Sequence, residues 1–253
     1  MHCYGLTDVG MCRSENQDYF KIAKAPDKMI LTVVCDGMGG AAGGKIASKM
    51  AAEEFCGNAA AILQEQYKKG AELTDEDIRW ILQTAVYRAN LKVFDAALAK
   101  EELSGMGTTL TGALVCEEWY WVVSVGDSRA YRFHKGRSKL LTHDHSYVQL
   151  LVDQGQITEA EAQFHPRKNI ITRAIGTKAT VETDVFSGPL APGDTILLAT
   201  DGLTNMLMDG ELAEIISEKQ PLRHTVFELI SGANAKGGDD NITAVVIQTK
   251  GNE

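Results

Sequence analysis

The sequence predicts an α+β fold, with two antiparallel sheets packed together and helices outside them, on three grounds. Runs rich in β-branched and aromatic residues recur at 19–23, 29–35, 108–116, 119–125, 130–134, 195–199 and 242–248, and most are too apolar to leave one face in water. Several are consecutive and joined by short turns such as Cys116-Glu117-Glu118-Trp119, the mark of meanders rather than alternating βαβ units. Two long segments, 43–66 and 75–100, have helical periodicity and need an apolar surface to cover.

In chain order, the polar stretch Arg13-Ser14-Glu15-Asn16-Gln17-Asp18 precedes the first strand run, and the second run ends in Asp36-Gly37-Met38-Gly39-Gly40. The Ala-rich helix 43–66 follows. Thr74 is a natural N-cap for the helix 75–100, and Asp75, Glu76 and Asp77 favour the positive end of its dipole. Ile78, Leu82, Ala85, Val86, Ala89, Val93 and Ala97 recur on one face of that helix. The run 119–125 leads into Gly126-Asp127-Ser128-Arg129. Between 144 and 173 helical fragments (147–154 and 159–164) alternate with polar turns; this reads first as an ordinary connection and second as a lid. The run 195–199 leads to Asp201-Gly202, and Gly237-Gly238-Asp239-Asp240-Asn241 precedes the last strand run.

With 253 residues, 44% of them apolar, and no linker or repeat, one domain over 1–253 is expected. The formal net charge of −9 has the wrong sign for a nucleic-acid partner. It also suits a phosphorylated substrate only where bound cations reverse the field. No basic-then-apolar leader and no membrane-length apolar stretch is visible, so a cytoplasmic location with no membrane partner is expected. Five scattered cysteines without C-x-x-C spacing suggest reduced thiols rather than disulfides or zinc.

The chemistry concentrates in acids at strand ends. Asp36, Asp127 and Asp201 stand where apolar runs exit, and Asp240 where one begins, so an antiparallel arrangement gathers them at one end of the sheets. Singly, each Asp-Gly is an ordinary turn; together the four form a cluster that repels itself unless cations neutralise it. Oxygen ligands with room for water suit Mg or Mn. Gly37, lacking a Cβ, lets the backbone carbonyl approach an ion. Arg13 offers a fork of donors matched to phosphate, with Asp18 five residues on; taken alone, this pair reads as a polar surface turn.

The ordered set R-S-E-N-Q-D (13–18), D-G-M-G-G (36–40), G-T-T (107–109), G-D-S-R (126–129), L-T-H-D-H (141–145), T-R-A-I-G (172–176), T-D-G-L (200–203) and D-D-N-I-T (239–243) resembles the bacterial branch of the type 2C metal-dependent protein serine/threonine phosphatases. The resemblance implies a four-layer α-β-β-α sandwich with a binuclear Mn or Mg centre and 144–173 as a flap beside it. It implies that Asp36 bridges two metals, the Gly37 carbonyl joins one, Asp201 and Asp240 complete the other, and Asp127 with Asp201 helps hold a third. Arg13 then matches the phosphate-binding arginine, and Asp18 an acid that orients water. The implied reaction is hydrolysis of phosphoserine and phosphothreonine on proteins by a metal-activated water. A monomer opposing a cognate kinase is expected. Met38 stands where animal members carry histidine, which leaves the leaving-group proton without an assigned donor.

Competing chemistries fare less well. None of the five cysteines is followed by Arg at the spacing of a cysteine-nucleophile phosphatase. Gly39 to Lys45 satisfies G-x-x-x-x-G-K, but Ile46 replaces the Ser or Thr that a nucleotide-binding loop needs for Mg. No G-x-S-x-G elbow occurs. His143 and His145 read as hydrogen-bonding residues near a turn rather than metal ligands. A binding module without turnover is disfavoured by the intact Asp36, Asp201 and Asp240.

Overall fold

The structure is a computed structural model that describes residues 1–251, apart from the side chains of residues 40–42. The first half of the chain runs β1 (His2–Asp8), β2 (Asp18–Lys24), β3 (Ile30–Met38), α1 (Gly40–Lys68), α2 (Asp75–Ala99), β4 (Gly107–Thr108), β5 (Leu110–Val115) and β6 (Trp119–Val125). It continues with β7 (Arg129–His134), β8 (Arg137–Leu140), α3 (Tyr147–Asp153), α4 (Glu159–Gln163), β9 (Asp184–Pro189), β10 (Thr195–Ala199), α5 (Asp201–Thr204), α6 (Asp209–Ser217), α7 (Leu222–Ala235) and β11 (Ile242–Gln248).

Both sheets are antiparallel. One has the order β2-β3-β5-β6-β9 with β4 paired to β3, and the other the order β1-β11-β10-β7-β8. Because side chains alternate across a strand, each sheet supplies two cores. Val34, Ala113, Val122, Leu198 and Val245 pack between the sheets. Leu31, Val33 and Val123 meet Ala51, Phe55, Leu82 and Val86 of α1 and α2. Tyr131, Leu197 and Val246 meet Leu212, Val226 and Leu229 of α6 and α7. The result is the four-layer α-β-β-α sandwich.

The start of α2 follows from its sequence: the Thr74 hydroxyl accepts from the Asp77 N–H, and the Asp77 carboxylate accepts from the Thr74 N–H. Its buried face contains one polar residue, Asn90, which is fully buried yet satisfied. Its Nδ2 donates to the carbonyls of Lys178 and Ala179, and its Oδ1 accepts from the Gly176 N–H at 2.8 Å.

Among the described residues, three strands and three α-helices lie outside the sequence-predicted set. β1 carries Gly5 in its middle, which weakens the strand signal, yet it pairs with β11 along its whole length, from His2 opposite Gln248 to Asp8 opposite Ile242. β8 is a polar edge strand. β9 is mostly half-buried. The run expected at 108–116 divides at Thr109, whose hydroxyl accepts from the Asp36 N–H and whose own N–H donates to the Asp36 carbonyl, both at 2.8 Å.

Candidate metal centre

Both sheets deliver acids to one pocket of about 490 Å³, lined by Asp36, Asp127, Asp201 and Asp240 together with Arg13, Gly37, Met38 and Thr109. Asp127 follows β6, Asp201 opens α5 after β10, and Asp240 precedes β11, as expected. Asp36 differs: it lies inside β3, which continues to Met38 because Gly37 and Met38 pair with β4. A shallow hollow of about 580 Å³ at the opposite ends of β7, β10 and β11 is larger, but Glu218 is its single acid. Chemistry, not volume, selects the acidic pocket.

Asp18 is not in the pocket lining. It sits behind it, paired in register with Asp36 across β2 and β3, and is only 5% exposed. Its Oδ2 accepts from the hydroxyls of Thr200 at 2.8 Å and Thr243 at 2.7 Å. Burial pushes its carboxyl up to about 7 against those two hydrogen bonds, with Asp201 and Asp240 adding repulsion. Asp36 is raised well above the carboxylate range, first by burial and then by Asp18, Asp201, Asp127 and Asp240. Burial and the Asp201 charge lift Asp127 to about 8. Asp201 is raised by burial and by the Asp240 charge.

These residues fit hard cations. Asp18 Oδ1 and Asp201 Oδ1 are buried without a hydrogen-bond partner, an arrangement that a polar network tolerates only where something else completes it. The repulsion among the acids is what a dication removes. Among the described residues, no three or more His, Cys, Asp or Glu side chains close around one point as a preformed cage. The pocket lining, among the described residues, offers carboxylates and open space and no thiolate, a lining that fits a hard cation rather than a closed zinc site.

Packing gives Gly37 a second requirement. A Cβ there falls 2.1 Å from the Gly44 carbonyl oxygen, so glycine is what lets the start of α1 pack on β3. Of the nucleotide-loop pattern, Gly39 is the N-cap of α1 and Gly40, Gly43 and Gly44 lie within the helix rather than in a loop, and Lys45 pairs with Glu15 at 3.1 Å. Arg13 stands at the pocket rim, 57% exposed, with one guanidinium nitrogen donating to Asp240 Oδ2 at 2.9 Å. No histidine or cysteine is among the described residues lining the pocket. Thr109, Thr200 and Thr243 are the site residues that the sequence reading left without a role, although each belongs to a motif quoted for the resemblance.

Asn169 and Ile171, from the segment 144–173, also line the pocket, so that segment stands beside the acids. Its helices α3 and α4 are capped by Ser146 and Thr158. Its base is closed by a bridge between Ser146 and Ile171.

The sequence profile of the protein phosphatase 2C family matches residues 13–246. The serine/threonine phosphatase stp of Listeria innocua is 38% identical over 249 residues, covering 98% of this chain and 96% of the relative. The structure of the S. agalactiae serine/threonine phosphatase superposes with a TM-score of 0.85 at 35% identity, covering 97% of this chain and 98% of that one. The catalytic domain of the serine/threonine protein phosphatase PstP, solved in complex with two manganese ions, superposes with a TM-score of 0.80 at 31% identity, covering 97% and 96%. Sheet order, acid placement and these likenesses agree: the chain belongs to the protein phosphatase 2C family and is a metal-dependent protein serine/threonine phosphatase.

Proposed function

We propose that Asp36, the Gly37 carbonyl, Asp201 and Asp240 hold two Mn or Mg ions, with Asp36 between them, and that Asp127 and Asp201 take a third. The observation that carries this is the convergence of four acids from both sheets on one pocket, with raised carboxyl pKa values and a buried, partnerless Asp201 oxygen. The two manganese ions of the PstP structure support it by similarity. When bound, the ions supply Lewis-acid activation of the attacking water and neutralise charge on the phosphoryl group.

The chain's own residues do the rest. Asp36 is fixed by its backbone bonds to Thr109. Asp18, held by Thr200 and Thr243, orients groups from behind Asp36. Arg13 offers its guanidinium fork to the phosphate oxygens from the rim, exchanging its bond to Asp240 for one to substrate. Met38 has no proton to give, so the departing seryl or threonyl oxygen takes one from water in the open pocket. The whole chain, 1–253, acts as a single domain with 144–173 as its flap. It works as a monomer in the cytoplasm, opposing a serine/threonine kinase. No described helix is long and apolar enough to cross a membrane.

A phosphothreonine peptide tests the assignment. Hydrolysis should require added Mn or Mg, stop with chelator, and fall steeply in Asp36→Asn while the circular dichroism spectrum is kept. Full activity in Asp36→Asn rejects the ligand set.

A further inference from the structure

His145 is a buried imidazole, 5% exposed, where the chain enters the segment 144–173. Its carbonyl accepts from the Thr172 N–H at 2.7 Å, next to the Ser146 to Ile171 bridge, so it belongs to the base of that segment. On its other side it is joined twice to Gly126. Its backbone N–H donates to the Gly126 carbonyl at 2.9 Å, and its ring Nδ1 accepts the Gly126 N–H at 3.0 Å. Gly126 directly precedes Asp127.

A backbone N–H can only donate, so Nδ1 is bare and a neutral ring carries its proton on Nε2. On that side Nε2 lies 3.1 Å from Asp184 Oδ2, which accepts the proton, and 3.0 Å from Arg173 Nη1, a group that can only donate. Arg173 Nη1 gives a hydrogen to Asp184 Oδ1 at 3.0 Å and so steadies the same carboxylate. Burial holds the imidazole below the usual histidine range although Asp184 pulls the other way. The turn is equally confined on its far side. Gly126 has φ 108°, and a Cβ there lies 2.6 Å from Thr109 Cγ2. The Thr109 hydroxyl in turn shares a hydrogen bond with Ser128 at 2.7 Å and accepts from the Asp36 N–H.

We propose that His145 is a positioning residue for the metal centre, whose neutral Nε2–H tautomer locks the Gly126-Asp127 turn, aims the Asp127 carboxylate into the pocket and ties it to the base of the flap. This rests on Asp127 being a metal ligand. Such outer partners of a metal site change affinity or activity by roughly 10–100-fold when lost. The two ring nitrogens have separate surrogates: an asparagine oxygen falls near Nδ1 and can accept from Gly126, whereas a glutamine reaches only toward Asp184.

The test uses nitrogen-15 NMR of the metal-free protein and Mn titrations of phosphopeptide hydrolysis with wild type, His145→Asn, His145→Gln and Asp127→Asn. Wild type should show bare Nδ1 and protonated Nε2. His145→Gln should exchange the Gly126 amide at least about 10-fold faster and need roughly 10–100-fold more Mn for half-maximal activity, with KM for the peptide within about threefold. His145→Asn should stay within about threefold of wild type in all three. A protonated Nδ1 in wild type overturns the inference, as does a His145→Gln with wild-type exchange, or a His145→Asn as impaired as His145→Gln. Should His145→Gln not fold, the wild-type tautomer and His145→Asn decide. If Asp127→Asn keeps wild-type Mn dependence, the inference falls with the ligand reading, and Gly126 exchange separates the two failures: fast exchange in His145→Gln faults the reading of Asp127, and slow exchange faults the lock.

Discussion

Replacing Asp18 with asparagine isolates the cost of crowding acids at this site. The asparagine oxygen can still accept from Thr200 and Thr243, and its NH2 occupies the place of the partnerless Oδ1, so the change removes charge with little change of shape. In the metal-free protein the Asp18 carboxyl is lifted from its ordinary 3.8 to about 7. Below the lower value folded and unfolded chains are both protonated and the residue costs nothing. As pH rises the unfolded chain ionises first, so stability is lost progressively until the folded carboxyl ionises as well. About three pH units at 1.36 kcal/mol each give a penalty on the order of 4 kcal/mol at pH 8, and about 1.5 kcal/mol at pH 5. Asp18→Asn should therefore be more stable than wild type in chelator, with Tm higher by roughly 8–16 °C at pH 8 and a much smaller gain at pH 5. Calorimetry and urea melts at the two pH values measure this. A variant no more stable than wild type at pH 8, or one with the same gain at both pH values, refutes the reasoning. With Mn present the same variant should lose activity by roughly 10–100-fold.

Adding Mn to metal-free wild type should raise stability by about 2.7 kcal/mol at 100 times Kd, seen as a Tm shift in scanning fluorimetry, and Asp36→Asn should show little of it. Gly37→Ala drives a Cβ into the Gly44 carbonyl and should destabilise by about 3 kcal/mol or more, whereas Gly57→Ala, exposed in α1 with nothing within 4 Å of its added Cβ, should stabilise by about 0.5–1 kcal/mol; urea melts compare the two. Asn90→Ala leaves the Gly176 N–H and two carbonyls unpaired beside α2 and should cost about 2–4 kcal/mol in the same assay, with Gly176 amide exchange accelerated. Removing the rim cation in Arg13→Ala should raise KM for a phosphopeptide several-fold while the Mn requirement stays near wild type, as the proposed role of the guanidinium as a substrate donor requires.

The parts of the fold that were legible in sequence are those fixed by local pattern. The strands at 119–125, 195–199 and 242–248 have the expected bounds because they are buried on both faces and read as continuous apolar runs. β8, Arg137–Leu140, is a strand only because β7 pairs with it, and its polar sequence announces nothing. The helices α6 and α7 do carry a helical signal, in Leu212, Ala213 and Ile216 and in Val226, Leu229, Ile230 and Ala233, that the strand-centred reading passed over. At the site, the four pocket aspartates are legible because each adjoins an apolar run of sequence, although Asp36 itself lies within β3. What stayed hidden is tertiary: Asp18 is held by threonines 182 and 225 positions away, and the bond from Arg13 to Asp240 spans 227. The role of Gly37 is hidden in the same way, since its required partner, the Gly44 carbonyl, belongs to a different element.

Counting bound Mn calorimetrically, in wild type and in Asp36→Asn, tests the central claim most directly. Wild type should bind at least two ions per chain, and Asp36→Asn, folded by circular dichroism, should lose the pair together, as the proposed sharing of one carboxylate requires. An Asp36→Asn protein that binds the same number of ions with the same affinity contradicts the account.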